Sequence, residues 1–158
     1  MPVITVDGPS GSGKTTLLTS LMTARKKNGI PQSYRRCFDK ILICSPTLGQ
    51  GKSQKKDPFA DVNGNQKWKE FNNQSMDEMY EMLESNRDED EHSVLILDDI
   101  GASLRKSAGA EKKLVSLLQN RRHVFCSVFI LVQKFKDVPT GIRNNLSHFI
   151  AFLPKNNI

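Results

Sequence analysis

A segment near the start of the chain has the residue types and spacing needed to bind phosphate groups. Gly8–Thr15 reads Gly-Pro-Ser-Gly-Ser-Gly-Lys-Thr, which fits the pattern G-x-x-x-x-G-K-[ST] at every position. The glycines allow a tight turn that points backbone N–H groups at phosphate oxygens. Lys14 should reach the β- and γ-phosphates, and the Thr15 hydroxyl should ligate Mg²⁺. The pattern predicts a phosphate-binding loop (P-loop) formed by Gly8, Pro9, Ser10, Gly11, Ser12, Gly13, Lys14, Thr15 and Thr16.

Two adjacent carboxylates follow an apolar run further along the chain. Val94–Leu97 leads directly into Asp98 and Asp99. In open α/β sheets the ligand lies at the carboxyl ends of the strands, so this arrangement is typical of a Walker B segment. We expect Asp98 to hold Mg²⁺ and Asp99 to orient or deprotonate the attacking water. The alternatives for Asp99 are a helix N-cap or simple exposure to solvent.

A glutamine ends the other long apolar run. Gln133 follows Ser127–Val132 and should face the same edge of the sheet. Its amide could hydrogen-bond the attacking water or sense the γ-phosphate. The alternative is a polar residue at the point where a strand reaches the surface.

A second G-K-S sequence, Gly51–Ser53, does not complete the phosphate-binding pattern, because Pro46 stands where the first glycine belongs. We interpret Lys52, Lys55 and Lys56 as a basic loop. Either these charges are solvated or they contact DNA phosphates.

The elements that would position these residues alternate between strands and helices. Amphipathic periods predict helices over Thr15–Lys27 and Ser75–Glu84, a third one through Leu114 that ends near Arg121, and one or two turns in Pro139–Leu146. Polar residues predict a long loop over Gly49–Gln66. The predicted strands are Val3–Val6, Ile41–Cys44, Ser93–Leu97, Ser127–Val132 and Phe149–Leu153. We therefore expect an α/β fold: one P-loop domain over residues 1–158, with three layers and a mostly parallel sheet of about five strands.

Composition agrees with a globular intracellular protein. Lys and Arg number 23 against 17 Asp and Glu, a net charge of +6 that is compatible with a nucleic-acid partner. Both long apolar runs are too short to cross a bilayer, and no signal peptide is recognisable. Cys37, Cys44 and Cys126 lack metal-ligand or redox spacing, so we interpret them as reduced core thiols.

Two family resemblances start from these motifs. The first ~20 residues, Val3–Gly11 with the P-loop, look like a cytidylate or related nucleoside monophosphate kinase, but no arginine-rich lid is recognisable in the C-terminal half. The chain as a whole resembles the viral genome-packaging ATPases of the poxvirus and giant-virus type, within the FtsK–HerA superfamily. The matching segments, in order, are Gly8–Thr15, Ile43–Thr47, Leu97–Ile100, Arg122-His123, Gln133 and Pro139–Asn145.

The second resemblance implies a function and site roles. Similar proteins hydrolyse ATP with Mg²⁺ to drive double-stranded viral DNA into a capsid. By this resemblance Asp98 is the metal-site acid, Asp99 the catalytic acid and Gln133 the sensor. Many superfamily members have Asp-Glu at this position, and Asp99 is one methylene shorter. The expected site of action is the host cytoplasm or a viral factory, with the nucleus and the virion as further places.

Motors of this kind imply an oligomer. An arginine can spread the charge of the transferring phosphate, and ring ATPases often supply it from the neighbouring subunit. Arg122 and Arg143 are the candidates, although Arg122 could instead stabilise the end of a helix. The expected partners are duplex DNA, further copies of the chain in a ring, and a capsid or portal protein. Three hypotheses stay open: a DNA-stimulated packaging ATPase, a small-molecule kinase, and a nucleotide-gated nucleic-acid-binding module with little turnover.

Overall fold

A computed structural model describes residues 1–23, 37–47, 59 and 62–153. The helices are α1 (Lys14–Thr23), α2 (Asn73–Asp88), α3 (Gly101–Lys106), α4 (Ala108–Asn120) and α5 (Thr140–Arg143), with 3₁₀ turns at Gly64–Gln66 and Phe135–Asp137. The strands are β1 (Val3–Asp7), β2 (Lys40–Cys44), β3 (Lys67–Trp68), β4 (Ser93–Asp98), β5 (Cys126–Val132) and β6 (His148–Ala151).

The strands form one sheet in the order β3-β2-β4-β5-β1-β6, and every neighbouring pair is parallel. All carboxyl ends therefore lie along one side of the sheet, which we call the carboxyl edge, and all amino ends along the opposite amino edge. β5 separates β4 from β1. The predicted α/β fold with a parallel sheet is confirmed, with six strands instead of about five because β3 adds a two-residue strand.

Apolar side chains cover both faces of the central strands. Alternate residues of β4 pack into two separate clusters: Leu95 and Leu97 with α2, α3 and α4, and Val94 and Ile96 with Leu18 of α1. A strand that is buried on both faces needs apolar residues at every position, which explains the uninterrupted apolar runs of β4 and β5. The result is three layers, with helices on both faces of the sheet.

Capping determines where the longer helices begin. The Asn72 side chain accepts from the Ser75 backbone N–H, and Ser75 in turn accepts from the Asn72 N–H, which is a complete capping box. Helix α2 therefore begins before the predicted Ser75 and continues to Asp88. Ser107 accepts from the Ala110 N–H and caps α4. Helix α3 was not predicted, since of its six residues only Leu104 is buried.

Other differences from the predictions are local. The last strand, β6, begins one residue earlier than predicted and ends at Ala151. The predicted loop Gly49–Gln66 is wrong at its end, where Gly64–Gln66 is a 3₁₀ turn, and most of the loop lies outside the described residues. The predicted extension of α1 to Lys27 also lies outside them. Among the helices in the described parts of the chain, none is long and apolar enough to span a membrane.

The cysteines divide into two groups. Cys44 and Cys126 are buried, and burial raises the pKa of each thiol to about 12. Both are therefore protonated core residues, as predicted. Cys37 is exposed, so the prediction of a core thiol is wrong at that position.

Candidate active site

The P-loop connects β1 to α1 at the carboxyl edge. Its first N–H, from Gly8, donates to the Val132 carbonyl at the end of β5 across 3.2 Å. Gly11 and Gly13 have φ of 74° and 101°, a left-handed conformation that glycine adopts without the steric cost of a Cβ. The Leu17 N–H donates to the Gly13 carbonyl across 2.8 Å and starts the helical hydrogen bonding. The sequence pattern thus folds into the compact turn that phosphate binding requires.

The turn packs against the end of β6. A Cβ on Gly8 would lie 2.7 Å from Ser12 Oγ and 2.8 Å from the Cβ of Phe152. The Phe152 N–H donates to the Asp7 carbonyl across 2.8 Å, directly before the loop. Gly8 is therefore required by close packing, and Phe152 is a supporting residue that sequence reasoning did not identify.

Lys14 closes over its own loop. Its Nζ donates to the carbonyls of Gly8 at 2.6 Å and Pro9 at 3.0 Å. The side chain is half-buried, whereas Thr15 and Thr16 at the start of α1 are exposed. The ammonium group is thus held at the turn by acceptors that a phosphate oxygen could replace.

Asp98 ends β4 and is held from the neighbouring strand. Ser45 follows β2, is almost fully buried, and donates from Oγ to Asp98 Oδ2 across 3.3 Å. The Thr47 hydroxyl lies 3.0 Å from Ser45 Oγ. Burial raises the pKa of the Asp98 carboxyl, Asp99 adds to this rise, and the Ser45 hydrogen bond and the charge of Lys14 oppose it. A cation beside Asp98 would compensate for the cost of burying this charge.

Asp99 is held in place through backbone and side chain. Its φ of 53° is left-handed, a conformation that Asp and Asn tolerate better than most residues. Its N–H donates to the Leu131 carbonyl across 3.0 Å, and its Oδ1 accepts from Gln133 Nε2 at 3.2 Å. The N-cap residue of α3 is Ile100, which makes no side-chain capping hydrogen bond, so the alternative of Asp99 as the N-cap is wrong.

Strand order explains why these groups meet. β1, β5 and β4 are neighbours, so the P-loop, Gln133 and the Asp98-Asp99 pair follow adjacent strands at the carboxyl edge. Thr15 and Asp98 offer hard oxygen donors, which suit Mg²⁺. Within the described ranges, no group of three His, Cys, Asp or Glu side chains could hold a metal ion. Mg²⁺ usually takes only one or two protein carboxylates and completes its shell with phosphate oxygens and waters, so this donor set fits.

The structure places the two candidate arginines differently. Arg143 in α5 is folded onto the segment after Gln133: its guanidinium donates to the carbonyls of Val138 and Lys136 and lies 5.4 Å from the centre of the Phe135 ring. Its backbone belongs to the stretch that leads away from the carboxyl edge.

Arg122 lies in the turn between α4 and β5, at the amino edge, and is exposed. It cannot reach the P-loop of its own chain, so any catalytic role would have to be across a subunit interface. Next to it, at the C-cap of α4, Arg121 donates to the carbonyls of Leu118 and Met1.

Other expectations fall outside this geometry. Lys52, Lys55 and Lys56 lie outside the described residues. Sequence reasoning missed Ser45 as a partner of Asp98. A signal was present, since Ser45 follows an apolar run as Asp98 does, but pairing them requires knowing that β2 and β4 are neighbours.

Curated proteins of poxviruses align with most of this chain. The DNA packaging protein OPG160 of variola virus is 28% identical over 145 residues, which cover 92% of this chain and 50% of that protein. The chain thus spans about half the length of the curated relatives it matches. Among solved structures, the DNA-packaging ATPase B204 of Sulfolobus turreted icosahedral virus has a TM-score of 0.67 at 14% identity, covering 99% of this chain and 77% of that one.

A second solved structure agrees on the fold. The genome packaging NTPase B204 of Sulfolobus turreted icosahedral virus 2, in complex with ATP-γS, has a TM-score of 0.65 at 10% identity, covering 99% and 76% of the two chains. The model of the family described as poxvirus A32 protein matches residues 57–157, which include Asp98, Asp99 and Gln133. This chain therefore belongs to the poxvirus A32 protein family.

Proposed function

We propose that this chain is an ATP-hydrolysing subunit of a motor that packages double-stranded viral DNA. The observation that carries the proposal is the meeting of the P-loop, Asp98-Asp99 and Gln133 at one edge of the sheet. Membership of the A32 family and similarity to a DNA packaging protein supply the biological task.

Nucleotide binding is assigned to the P-loop. Backbone N–H groups of the turn receive the phosphate oxygens, and the positive end of α1 points at the same anion. Lys14 exchanges the carbonyls of Gly8 and Pro9 for the β- and γ-phosphates. ATP is the proposed nucleotide, in keeping with the ATP analogue bound to the structurally similar B204.

Hydrolysis is assigned to the residues after β4 and β5. Thr15 and Asp98 would hold Mg²⁺, which supplies charge that neutralises the phosphate oxygens. Asp99 accepts the proton of the attacking water, and Gln133, already hydrogen-bonded to Asp99, orients that water. Ser45 keeps the Asp98 carboxylate in a fixed orientation.

Packaging requires more than one site. A motor must stay bound to the DNA while one of its sites exchanges nucleotide. We therefore propose a closed ring of copies joined by heterologous contacts. Arg143 or Arg122 would reach the phosphates of a neighbouring copy. A capsid or portal protein would receive the DNA, in the compartment where the virus assembles.

Steady-state assays of phosphate release test this function. The purified chain is measured with Mg²⁺ and ATP alone, with duplex DNA, and with nucleoside monophosphates, and Lys14→Ala serves as the blank. Turnover that rises with DNA supports the motor. Phosphate transfer to a monophosphate would establish a kinase instead, and tight nucleotide binding with no turnover would establish a binding module.

A further inference from the structure

The two segments that follow the proposed catalytic residues Asp99 and Gln133 carry exposed cations. Arg105 and Lys106 form the end of α3, which follows β4, and Lys134 and Lys136 lie in the segment that follows β5. All four are exposed. We call them the carboxyl-edge cations. Because β4 and β5 are neighbours, the two pairs of charges follow adjacent strands.

The two segments are joined directly. Arg105 Nη1 lies 3.1 Å from Asp137 Oδ1, the last residue of the 3₁₀ turn. A Cβ on Gly101, the first residue of α3, would be 3.7 Å from the Asp137 Cβ. Since the Asp137 N–H donates to the Lys134 carbonyl across 2.9 Å, Lys134 lies within the same turn as Asp137. The two segments that carry the four cations are therefore in direct contact.

The same two segments begin at the catalytic pair. Asp99 stands two residues before α3, and Gln133 stands two residues before the 3₁₀ turn. The Gln133–Asp99 hydrogen bond links the first residues of the two segments, and the Arg105–Asp137 ion pair links the same segments at the end of α3. A ligand that disturbs the Arg105–Asp137 ion pair therefore acts on the two segments that also form the Gln133–Asp99 hydrogen bond.

We propose that the backbone phosphates of duplex DNA bind the carboxyl-edge cations, and that this contact couples the DNA to the Asp99–Gln133 pair. This proposal rests on the proposed function, because it takes duplex DNA as the track. Phosphate binding draws Arg105 away from Asp137 and moves α3 relative to the 3₁₀ turn. The distance between Gln133 and Asp99 then depends on whether DNA is held.

The chemistry of the surface fits a polyanion. The Arg105 side chain is 62% exposed although it is paired with Asp137, and solvent weakens such pairs, so a phosphate can compete for it. Arginine forms bidentate contacts with phosphate oxygens, and lysine adds compact positive charge. Contacts of this kind position a protein on DNA and carry no base sequence, as a packaging motor requires.

The test measures DNA affinity across a series of salt concentrations. The variant Lys134→Gln/Lys136→Gln removes two carboxyl-edge cations. The control Lys69→Gln/Lys112→Gln removes two exposed charges elsewhere, one after β3 and one on α4. Asp137→Asn removes the anion that competes for Arg105. Binding of labelled duplex DNA is followed by anisotropy, and all proteins are compared at equal occupancy by a fluorescent ATP analogue, so that unfolded protein is not counted.

Each outcome bears on the proposal. We expect the slope of log affinity against log salt to fall by about 0.9 for each cation removed at positions 134 and 136. We also expect DNA stimulation of ATP turnover to be lost in this variant, unchanged DNA binding in the control, and tighter DNA binding in Asp137→Asn. If the wild-type chain binds DNA and the 134/136 variant keeps the full slope, the surface is wrong and the proposed function stands. Wild-type protein that binds no duplex DNA would overturn both.

A slope change seen only after replacing Lys52, Lys55 and Lys56 together would place the contact in that loop and would overturn the carboxyl-edge assignment. Loss of DNA affinity with full stimulation at saturating DNA would keep the surface and overturn the coupling.

Discussion

Gln133 Nε2 lies 3.2 Å from Asp99 Oδ1, so the side chains that follow two neighbouring strands are hydrogen-bonded to each other at the carboxyl edge. The Asp99 backbone is left-handed, and its N–H is bound to the β5 residue Leu131. The backbone and the side chain of Asp99 are thus held by β5 and by Gln133, which follows it. The orientation of the proposed base depends on the strand beside its own.

Asp99→Asn should separate binding from hydrolysis. Asparagine also tolerates the left-handed backbone, and it keeps the size of the side chain but loses the carboxylate that accepts a proton. We expect nucleotide affinity to be retained and turnover to fall by about 100-fold or more. Single-turnover hydrolysis and nucleotide titration check this, with Asp99→Glu as a control that keeps the charge. Normal hydrolysis by Asp99→Asn would rule out Asp99 as the base.

Lys14→Ala should lower turnover by at least ~100-fold, since it removes a positive charge at the transferring phosphate. Among the described residues, Lys14 donates only to the loop carbonyls of Gly8 and Pro9, so the fold should survive its loss. Circular dichroism verifies the fold, and phosphate release measures the effect. Turnover equal to that of the wild type would exclude Gly8–Thr15 as the active phosphate site.

Asp98→Asn should stabilise the nucleotide-free protein and weaken Mg²⁺-dependent binding. Burial raises the folded-state pKa of Asp98, so between the unfolded and folded pKa values the folded chain holds the extra proton. The stability of the folded state that this proton contributes is lost as the pH rises through the folded-state pKa. Asparagine does not ionise, so the variant does not lose this stability. Its melting temperature should exceed that of the wild type at neutral pH and equal it in acid. The difference should reverse when Mg²⁺ and nucleotide are added.

An equal melting temperature across the whole pH range would contradict the raised pKa of Asp98. Mg²⁺-dependent binding that is unaffected by the substitution would contradict its role as a metal ligand.

Ser45→Ala should raise the Mg²⁺ concentration needed for half-maximal nucleotide binding by about 10-fold, a typical cost of losing a hydrogen bond that orients a metal ligand. The hydroxyl is buried and donates to Asp98 Oδ2. Ser45→Thr keeps the donor and should restore most of the affinity. Binding measured without Mg²⁺ should be the same for all three proteins. A wild-type Mg²⁺ dependence in Ser45→Ala would show that Asp98 is positioned by its strand alone.

Arg122→Ala or Arg143→Ala should preserve ATP binding and abolish turnover if that arginine acts on a neighbouring copy. Mixing the affected variant with Lys14→Ala should then restore part of the activity, because the Lys14 variant donates its arginine to an intact P-loop. Arg143→Lys serves as a second test, since Arg143 also contacts Val138, Lys136 and Phe135 within its own chain. Absence of rescue in every mixture, with activity strictly proportional to protein concentration, would argue for a self-sufficient monomer.

The parts of the fold predicted from sequence are those whose burial imposes a pattern. β4 is buried on both faces, and its run of apolar residues marks it clearly. β3 has only Lys67 and Trp68, which pair with Ile43 and Cys44, and two residues cannot show a period. Helix α3 has six residues, of which only Leu104 is buried, so it shows no amphipathic period either.

The candidate site residues could be named from the sequence, but the contacts between them could not. The P-loop and Asp98 are recognisable because their chemistry demands particular residue types in a fixed order. The Ser45–Asp98 and Gln133–Asp99 contacts depend on which strands are neighbours, and chain order does not give strand order. The same reason explains Arg122, whose position before β5 puts it at the amino edge.

Strand order also has a consequence for synthesis on the ribosome. β1 is made before β2, β3 and β4, yet its strand partners among the described residues are β5 and β6, which are made after them. When β2, β3 and β4 emerge they can pair among themselves, but the P-loop still lacks both the Val132 carbonyl that holds Gly8 and the Phe152 packing beneath it. The nascent chain therefore cannot complete the packing around Gly8 until the segment through Phe152 has left the exit tunnel. Nucleotide binding during translation would report that β5 and β6 have joined the sheet.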